Sequence, residues 1–302
     1  AEEFAKDLTG ELEGIGAEIG IKENQLLVIS PLPDSPAEKA GLKPGDKILT
    51  INDESTAGMD VNMAVSKIRG KAKTQVTLAI LREGKEKPED ITVTRAKIIV
   101  PSVLFSMKEN NIAYLRVMQF NEDTKKQFNK YVKEIKSKNA SGIVLDLRNN
   151  PGGYLDTAID MASYWVTSGP VVSEKGRSGI NTEHNTSGSH PLSGIKTIVL
   201  VNKGSASASE IVAGALQDTK NAILLGEQTF GKGSVQDLEP FPDGSALKLT
   251  IAEWYTPSGK NINKEGIKPN IEVKEDWEKE KVGEDIVLDT ALELFASSTF
   301  KW

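Results

Sequence analysis

The sequence contains no cysteine, and this absence excludes disulfides, thiolate metal sites and cysteine nucleophiles together. It leaves the redox compartment open, because an exported protein can also lack cysteine. No apolar run approaches the length that a transmembrane helix requires. The chain starts at Ala1 without a basic and apolar leader. We therefore expect the numbered chain to be a mature or trimmed form.

Histidine is nearly as scarce as cysteine. The two histidines, His184 and His190, both lie in a polar stretch rich in Gly and Ser, Gly169 to Pro191, which we interpret as a mobile loop. A Ser-His-Asp triad would have to take its histidine from that mobile loop, so the sequence disfavours one. No other His, Asp or Glu stands at ligand spacing from the pair, so we expect neither a metal site nor a cofactor.

The sequence as a whole also lacks long runs of like charge. The 37 basic and 43 acidic residues are interspersed and give a net charge of −6, and no basic stripe favours nucleic acid or an anionic membrane as a partner. At 302 residues with 38% hydrophobic composition, the chain can form one large domain or two ordinary ones around a substantial core.

The first part of the chain has the pattern of a small β domain. A loop, Gly14-Ile15-Gly16-Ala17, precedes apolar strands, and the block Gly41 to Leu49 places a Pro-Gly-Asp turn before another strand. Asp60 caps a helix that Gly70 ends, and Arg69 either caps the helix or links to the second domain, with the cap favoured.

This order resembles a PDZ domain, at about residues 12–96, after a short N-terminal remnant at residues 1–11. The fold of such a domain is sandwich-like, with two helices. Its loop N–H groups, here those of Gly14, Ile15, Gly16 and Ala17, can receive the carboxylate of a chain terminus while the next strand edge pairs with the peptide. A glycine-rich hairpin without a ligand is the alternative.

Residues 97–302 have a different pattern, which predicts an α/β domain. Residues 142–147 and 195–201 are almost wholly apolar, and a strand that is apolar on both sides is covered on both faces of its sheet. Asn121 is expected to cap a helix, and a second helix is expected at residues 154–166. Asp146 ends a buried strand, and we interpret it as structural.

Three serines, Ser205, Ser207 and Ser209, stand at the start of an alanine-rich helix. Ser207 and Glu210 match the S-x-x-E capping box, so a structural serine is one interpretation. A serine at a helix N-terminus also lies where backbone N–H groups and the helix dipole stabilise an oxyanion, which favours a nucleophile. Spacing alone leaves Ser205 and Ser209 as alternatives.

Lys232 is the candidate base for such a serine. Gly231 and Gly233 flank it, which favours a lysine that points inward, and desolvation then favours the neutral amine. If residues 232–236 form a strand, Gln236 shares a face with Lys232 and can orient the amine. A solvated lysine and a surface glutamine are the alternatives.

The turn Asn150-Pro151-Gly152-Gly153 follows a buried strand, where ligand crevices of α/β sheets lie. A plain turn is the simplest interpretation of a Pro-Gly-Gly sequence. The N–H groups of Gly152 and Gly153 are nevertheless unshielded by side chains. Together with the N–H of Ala208 they can form an oxyanion hole.

These blocks together closely resemble the carboxyl-terminal processing peptidases, also called tail-specific proteases. The resemblance covers nearly the whole chain and rests on the PDZ-like region, Leu145 to Gly153, Ser205 to Ile211, Phe230 to Gln236, and Gly266 to Asn270. It implies a ClpP/crotonase-like serine protease core, with Ser207 as nucleophile, Lys232 as general base and Gln236 as the residue that positions it. It also implies the oxyanion hole of Gly152, Gly153 and Ala208.

The resemblance further implies protein or peptide substrates with free C-termini, regulated proteolysis with a partner at the PDZ domain, a homo-oligomer and an extracytoplasmic location. It is compatible with a resting arrangement in which Lys232 lies away from Ser207. The family's N-terminal signal or membrane segment and helical dimerisation arm have no counterpart in the sequence, which leaves the oligomeric state and anchoring open. The alternatives are a non-catalytic peptide-binding scaffold and, less well matched, a crotonase-type enzyme acting on an acyl thioester.

Overall fold

The computed structural model describes residues 11–297 except for residues 23, 33, 83, 100, 177–180, 241–245 and 275–283. Residues 11–99 together with residues 284 and 285 form one compact unit, and residues 101–274 together with 286–297 form a second. The predicted N-terminal remnant lies, apart from Glu11, outside the described residues. Within the described part of the chain, no helix is both long enough and apolar enough to cross a membrane.

The first unit is built on an antiparallel sheet in the order β2-β3-β4-β6-β7, with β5 paired to β4, and two helices. A separate ribbon pairs β1 with β8. The elements are β1 (Glu11–Gly14), β2 (Ala17–Lys22), β3 (Gln25–Pro31), α1 (Pro36–Lys39), β4 (Lys47–Ile51), β5 (Glu54–Ser55), α2 (Val61–Ile68), β6 (Gln75–Leu81), β7 (Glu89–Thr94) and β8 (Ala96–Ile99).

Local sequence explains these elements well. In β6 the residues Val76, Leu78 and Ile80 alternate into the core, as a strand with one buried face requires. The Asp60 side chain accepts a hydrogen bond from the Met63 N–H at 2.8 Å, which confirms it as the N-cap of α2. Arg69 occupies the C-cap of α2, as favoured from the sequence.

The second unit contains a six-stranded sheet in the order β18-β15-β14-β11-β10-β9, parallel except for β9. A four-stranded antiparallel sheet, β13-β12-β17-β16, accompanies it. The strands are β9 (Val103–Lys108), β10 (Ile112–Val117), β11 (Gly142–Asp146), β12 (Pro170–Gly176), β13 (Asn181–Asn185), β14 (Thr197–Val201), β15 (Ile223–Gly226), β16 (Ser234–Pro240), β17 (Ala246–Tyr255) and β18 (Ile271–Glu272).

Helices cover both faces of the parallel sheet. One apolar cluster joins the sheet to α3, α4 and α5, and another joins it to α6. All residues of β11 and β14 are buried, so the predicted doubly covered strands are confirmed. The helices are α3 (Thr124–Ser137), α4 (Leu155–Ala162), α5 (Ala208–Asp218) and α6 (Ile286–Ala296), and a 3-10 turn spans Glu109–Asn111.

Three local predictions for this unit differ from the structure. The stretch predicted as a mobile loop, Gly169 to Pro191, contains β12 and β13, because Val171 and Val172 are fully buried and β12 pairs with the distant β17. The helix predicted at residues 154–166 ends at Ala162. The helix that Asn121 was expected to cap has Asp123 at its N-cap, and the Asn121 amide oxygen instead accepts from the Asp123 N–H.

Candidate active site

The candidate site lies where two neighbouring parallel strands, β11 and β14, end. The segments that follow them are joined by a pair of amide hydrogen bonds. The Asn149 N–H donates to Asn202 Oδ1 at 2.9 Å, and Asn202 Nδ2 donates to Asn149 Oδ1 at 3.0 Å. The turn after β11 and the serine segment after β14 are therefore held together at the edge where ligand crevices of parallel sheets form.

The structure distinguishes the three serines that the spacing left open. Ser205 and Ser209 are fully buried, and each hydroxyl donates to a carbonyl, Leu147 O at 2.8 Å and Asn150 O at 2.9 Å respectively. Ser207 is only half-buried. The first two serines thus fasten the segment to the β11 end, and Ser207 is the one that a substrate can reach.

Ser207 also has an unusual backbone conformation. Its φ of 55° and ψ of −114° place it in a region that non-glycine residues rarely adopt. Such a conformation costs on the order of 1–3 kcal/mol and persists only where the surroundings enforce it. Ser207 is the N-cap residue of α5, so this conformation presents its side chain at the positive end of the helix.

Glu210, predicted only as the acidic member of a capping box, has a larger part in the site. Its carboxylate is fully buried and accepts four hydrogen bonds. One comes from the Ser207 N–H at 2.8 Å, which forms the predicted carboxylate half of the capping box. The others come from Thr229 Oγ1 at 2.6 Å, Gly231 N–H at 2.6 Å and Lys232 N–H at 2.9 Å. A single carboxylate therefore links the serine segment to the lysine segment.

The S-x-x-E spacing was the only sequence signal for Glu210, and it reveals only the bond to Ser207. The bonds to residues 229–232 join positions about 20 residues apart along the chain, with β15 in between. No periodicity or motif reports such a contact. A buried carboxylate needs compensating donors, and here backbone N–H groups supply three of the four.

Lys232 does not point inward as the sequence predicted. Its side chain is exposed, although its backbone is fixed by Glu210. The flanking glycines serve a different purpose. A Cβ on Gly231 would come within 2.9 Å of the Lys264 backbone, and one on Gly233 within 2.1 Å of the Asn263 nitrogen. The two glycines are needed because other backbone segments pack closely against them, and they do not direct the lysine side chain into the core.

Gln236 lies in β16, where it pairs with Thr250. The strand begins at Ser234, and a register shift lies between Val235 and Gln236, so the uninterrupted alternation from Lys232 to Gln236 that we expected is absent. The Gln236 side chain lies outside what the structure describes. Its orienting role stays a prediction.

The predicted oxyanion turn packs directly against the serine. A Cβ on Gly152 would come within 2.8 Å of the Ser207 Cβ and 2.9 Å of the Ala208 nitrogen, so only glycine fits there. The Gly152 N–H donates to Asn150 Oδ1 at 2.9 Å and is thereby engaged. The N–H groups of Gly153 and Ala208 have no hydrogen-bond partner among the described residues. Two of the three predicted donors thus stay available to an oxyanion.

Asp146 has the structural surroundings that we expected. It is fully buried beneath the turn and pairs with Arg148 at 2.7 Å, and it accepts from the Tyr114 hydroxyl at 2.7 Å. Burial, followed by the Asp146 charge and this hydrogen bond, raises the pKa of Tyr114 far above its ordinary value. The tyrosine therefore stays a neutral donor to the carboxylate.

The two histidines are engaged elsewhere. His184 lies in β13, with its ring 5.7 Å from that of Trp254. His190 hydrogen bonds through Nδ1 to the Ser163 carbonyl at 2.8 Å.

In the first unit, the predicted carboxylate loop lines a groove of about 240 Å³. The Ile15 and Gly16 carbonyls accept from the Ala37 and Leu32 N–H groups at 2.8 and 2.9 Å, which fixes the loop. Strand β2, at the edge of its sheet, follows the loop and lies beside α2. Apolar side chains complete the lining, from Ile19, Leu32, Val65, Ile68 and Ile98.

Comparison with known proteins identifies the family. The model of peptidase family S41 matches residues 111–273, and that of the PDZ domain matches residues 27–82. A carboxy-terminal-processing protease of Bartonella bacilliformis is 43% identical over 295 residues, which cover 95% of this chain and 68% of that protein. The chain belongs to peptidase family S41.

Other S41 proteins agree with this assignment. The chain is 40% identical to the carboxy-terminal processing protease CtpB of Bacillus subtilis, of which it spans 58% of the length. The solved photosystem II D1 C-terminal processing protease superposes with a TM-score of 0.60 at 30% identity, over 96% of this chain and 78% of that one. A putative S41 protease of Bacteroides fragilis, at 20% identity and a TM-score of 0.69, shares the fold. The predicted α/β core with a PDZ domain is confirmed, and a ClpP/crotonase-like core is consistent with the S41 structures.

Proposed function

We propose that this S41 protein is a serine endopeptidase that processes protein substrates near their C-termini. We assign Ser207 as the nucleophile, Lys232 as the general base and Gln236 as the residue that orients the lysine. The observation that carries the proposal is the arrangement around Ser207. A strained, half-buried serine stands at a helix N-terminus, beside two available N–H groups, and shares a buried carboxylate with the lysine segment.

In the proposed reaction, Ser207 Oγ attacks the scissile carbonyl and its proton passes to the neutral Lys232 amine. The N–H groups of Gly153 and Ala208 stabilise the oxyanion, while Gly152 gives the turn its close approach to the serine. The amine leaves with a proton from Lys232, and water then hydrolyses the acyl-enzyme. The exposed lysine has to turn toward Ser207 first, and substrate that covers the site would favour its neutral form by desolvation.

We further propose that residues 12–96 act as the PDZ domain and residues 97–302 as the protease domain. A substrate C-terminus would enter the groove at Gly14–Ala17 and add as a strand beside β2, the outermost strand of its sheet. The apolar lining of this groove favours apolar terminal side chains. A regulatory partner at the PDZ domain, a homo-oligomeric assembly and an extracytoplasmic location belong to the same proposal by analogy with the family.

The test is cleavage of an unfolded protein with a free C-terminal tail, with cut sites mapped by mass spectrometry. We expect Ser207→Ala to lower cleavage by at least about a thousandfold, as loss of a nucleophile does in other serine proteases, with an unchanged circular dichroism spectrum. Cleavage at the wild-type rate by the folded variant would refute the assignment.

The same substrate with an amidated C-terminus separates the enzyme from its alternative. If the groove captures free carboxylates, amidation should slow cleavage while leaving the cut sites unchanged. A wild-type protein that binds the free tail but never cuts it would support the non-catalytic scaffold instead.

A further inference from the structure

Helix α3 concentrates positive charge in a chain whose net charge is −6. Its 14 residues, TKKQFNKYVKEIKS, include five lysines and one glutamate. This concentration differs from the interspersed charge expected from the whole sequence. Three of the lysines, Lys125, Lys133 and Lys136, line one side of a cleft of about 570 Å³ in the second unit. That volume lies within the range of small-molecule sites, roughly 300–1,000 Å³.

The turn Ser187-Gly188-Ser189-His190 also lines this cleft. The Ser187 N–H donates to Ser163 Oγ at 3.2 Å, and His190 Nδ1 lies 2.8 Å from the Ser163 carbonyl oxygen. A carbonyl can only accept, so Nδ1 carries the proton and Nε2 is left for another partner. No atom lies within 4 Å of where a Cβ on Gly188 would stand, so the turn is open beside the cleft.

The charge inside the cleft is only partly compensated. Lys125 pairs with Asp160, the one acidic residue of the lining, at 2.6 Å. Lys133 and Lys136 form no ion pair with any residue that the structure describes. Two hydroxyls of the remaining lining are already engaged, because Ser163 Oγ donates to the Ile159 carbonyl at 2.7 Å and the Tyr164 hydroxyl donates to Asn129 Oδ1. The hydroxyls of Ser187 and Ser189 and the Asn129 Nδ2 group are the lining donors left for a ligand.

We propose that this cleft binds a phosphate-bearing anion with at least two negative charges. Among the described residues, two lysines without an ion pair and the hydroxyls of Ser187 and Ser189 match the many acceptor oxygens of such a ligand, and lysine serves phosphate as a point charge. The site is separate from the catalytic one. Asp160 and Ser163 lie at the C-terminal end of α4, whereas Gly153 lies just before its N-terminal end. The eight residues of this helix span about 12 Å.

The experiment is titration calorimetry of the whole protein with inorganic pyrophosphate at constant ionic strength. We expect saturable binding that the double substitution Lys133→Ala with Lys136→Ala weakens at least tenfold. The matched control is Lys126→Ala with Lys130→Ala, which removes the same charge from the same helix outside the cleft. The control should stay within about threefold of the wild type, since diffuse charge acts weakly through salt.

Three outcomes would overturn the proposal. The first is absence of saturable binding by the wild type. The second is an equal loss in both double variants, which would mean that only the general charge of α3 matters. The third is equal or tighter binding of citrate, which would exclude phosphate selectivity. Thermal unfolding of each variant checks its folding, and Ser189→Ala, which removes one of the lining hydroxyls, offers a second and milder probe of the same cleft.

Discussion

The serine side and the lysine side of the candidate site are anchored by the same carboxylate but differ in their side chains. Glu210 fixes the backbone N–H groups of Ser207 and Lys232 at 2.8 and 2.9 Å. Ser207 is half-buried and strained against the Gly152 turn, whereas the Lys232 side chain extends into solvent. The backbone is therefore fixed on both sides by one carboxylate, while the side chain of Lys232, the base that we propose, is exposed.

The largest effect should come from a substitution at Glu210, whose carboxylate holds both the serine segment and the lysine segment. Glu210→Gln replaces one acceptor oxygen by a donor that faces buried N–H or O–H groups. We expect a loss of about 3 kcal/mol in the free energy of unfolding, because a buried network loses its charge and one acceptor. Cleavage should fall by about a hundredfold or more, because both segments lose their common support.

Urea unfolding and the tail-cleavage assay measure these two effects. The matched control is Glu272→Gln, which removes the charge of an exposed ion pair with Lys268 and should cost no more than about 1 kcal/mol. A Glu210→Gln protein as stable and active as this control would show that the two sides are positioned independently.

A substitution in the turn tests the serine side alone. Gly153→Ala places a Cβ 2.0 Å from the Phe120 carbonyl oxygen, and the glycine φ of 146° adds strain. The turn has to shift, so we expect cleavage to fall by about a hundredfold, the typical cost of a displaced oxyanion donor. Stability should fall by roughly 1–3 kcal/mol.

Gly169→Ala is the control for this substitution. That glycine also has a positive φ, 79°, but nothing lies within 4 Å of the added Cβ. It should lose stability through strain alone and keep its activity. Equal activity of the two variants, measured on the same tailed substrate, would contradict a role for the turn in the reaction.

The smallest effect is the pH dependence that Tyr114, the hydrogen-bond donor to Asp146, gives to stability. The pKa of Tyr114 is raised in the folded protein, first by burial and then by Asp146. The unfolded chain therefore releases this proton at a lower pH than the folded one, and the contribution of Tyr114 to stability is lost as the pH rises above about 10. We expect the stability of the wild type to decline more steeply above pH 10 than that of Tyr114→Phe.

Urea unfolding at pH 8 and at pH 10.5 measures this difference. At pH 8 the substitution should cost about 1 kcal/mol through the lost hydrogen bond to Asp146. If the free energy of unfolding depended on pH identically in both proteins, ionisation of Tyr114 would not be coupled to folding. The segment around Ser207 would then be supported by Arg148 and the turn alone.

Local signals predicted much of the fold. The alternation in β6, the Asp60 cap and the wholly apolar strands β11 and β14 depend on near neighbours in sequence, and the structure confirms them. The prediction of a mobile loop at Gly169 to Pro191 was wrong because β12 is stabilised by pairing with β17, about 80 residues later. Composition within a window contains no information about such a partner.

The sequence by itself determined the PDZ-like and protease-like regions, the serine cluster with its capping box, and the glycines that the turn requires. Only the tertiary structure decided which serine is accessible, that Glu210 reaches residues 229–232, and that Lys232 extends into solvent. The reason is physical. A motif fixes the backbone bonds among residues a few positions apart, whereas burial and long-range hydrogen bonds depend on which distant segments the folded core brings together.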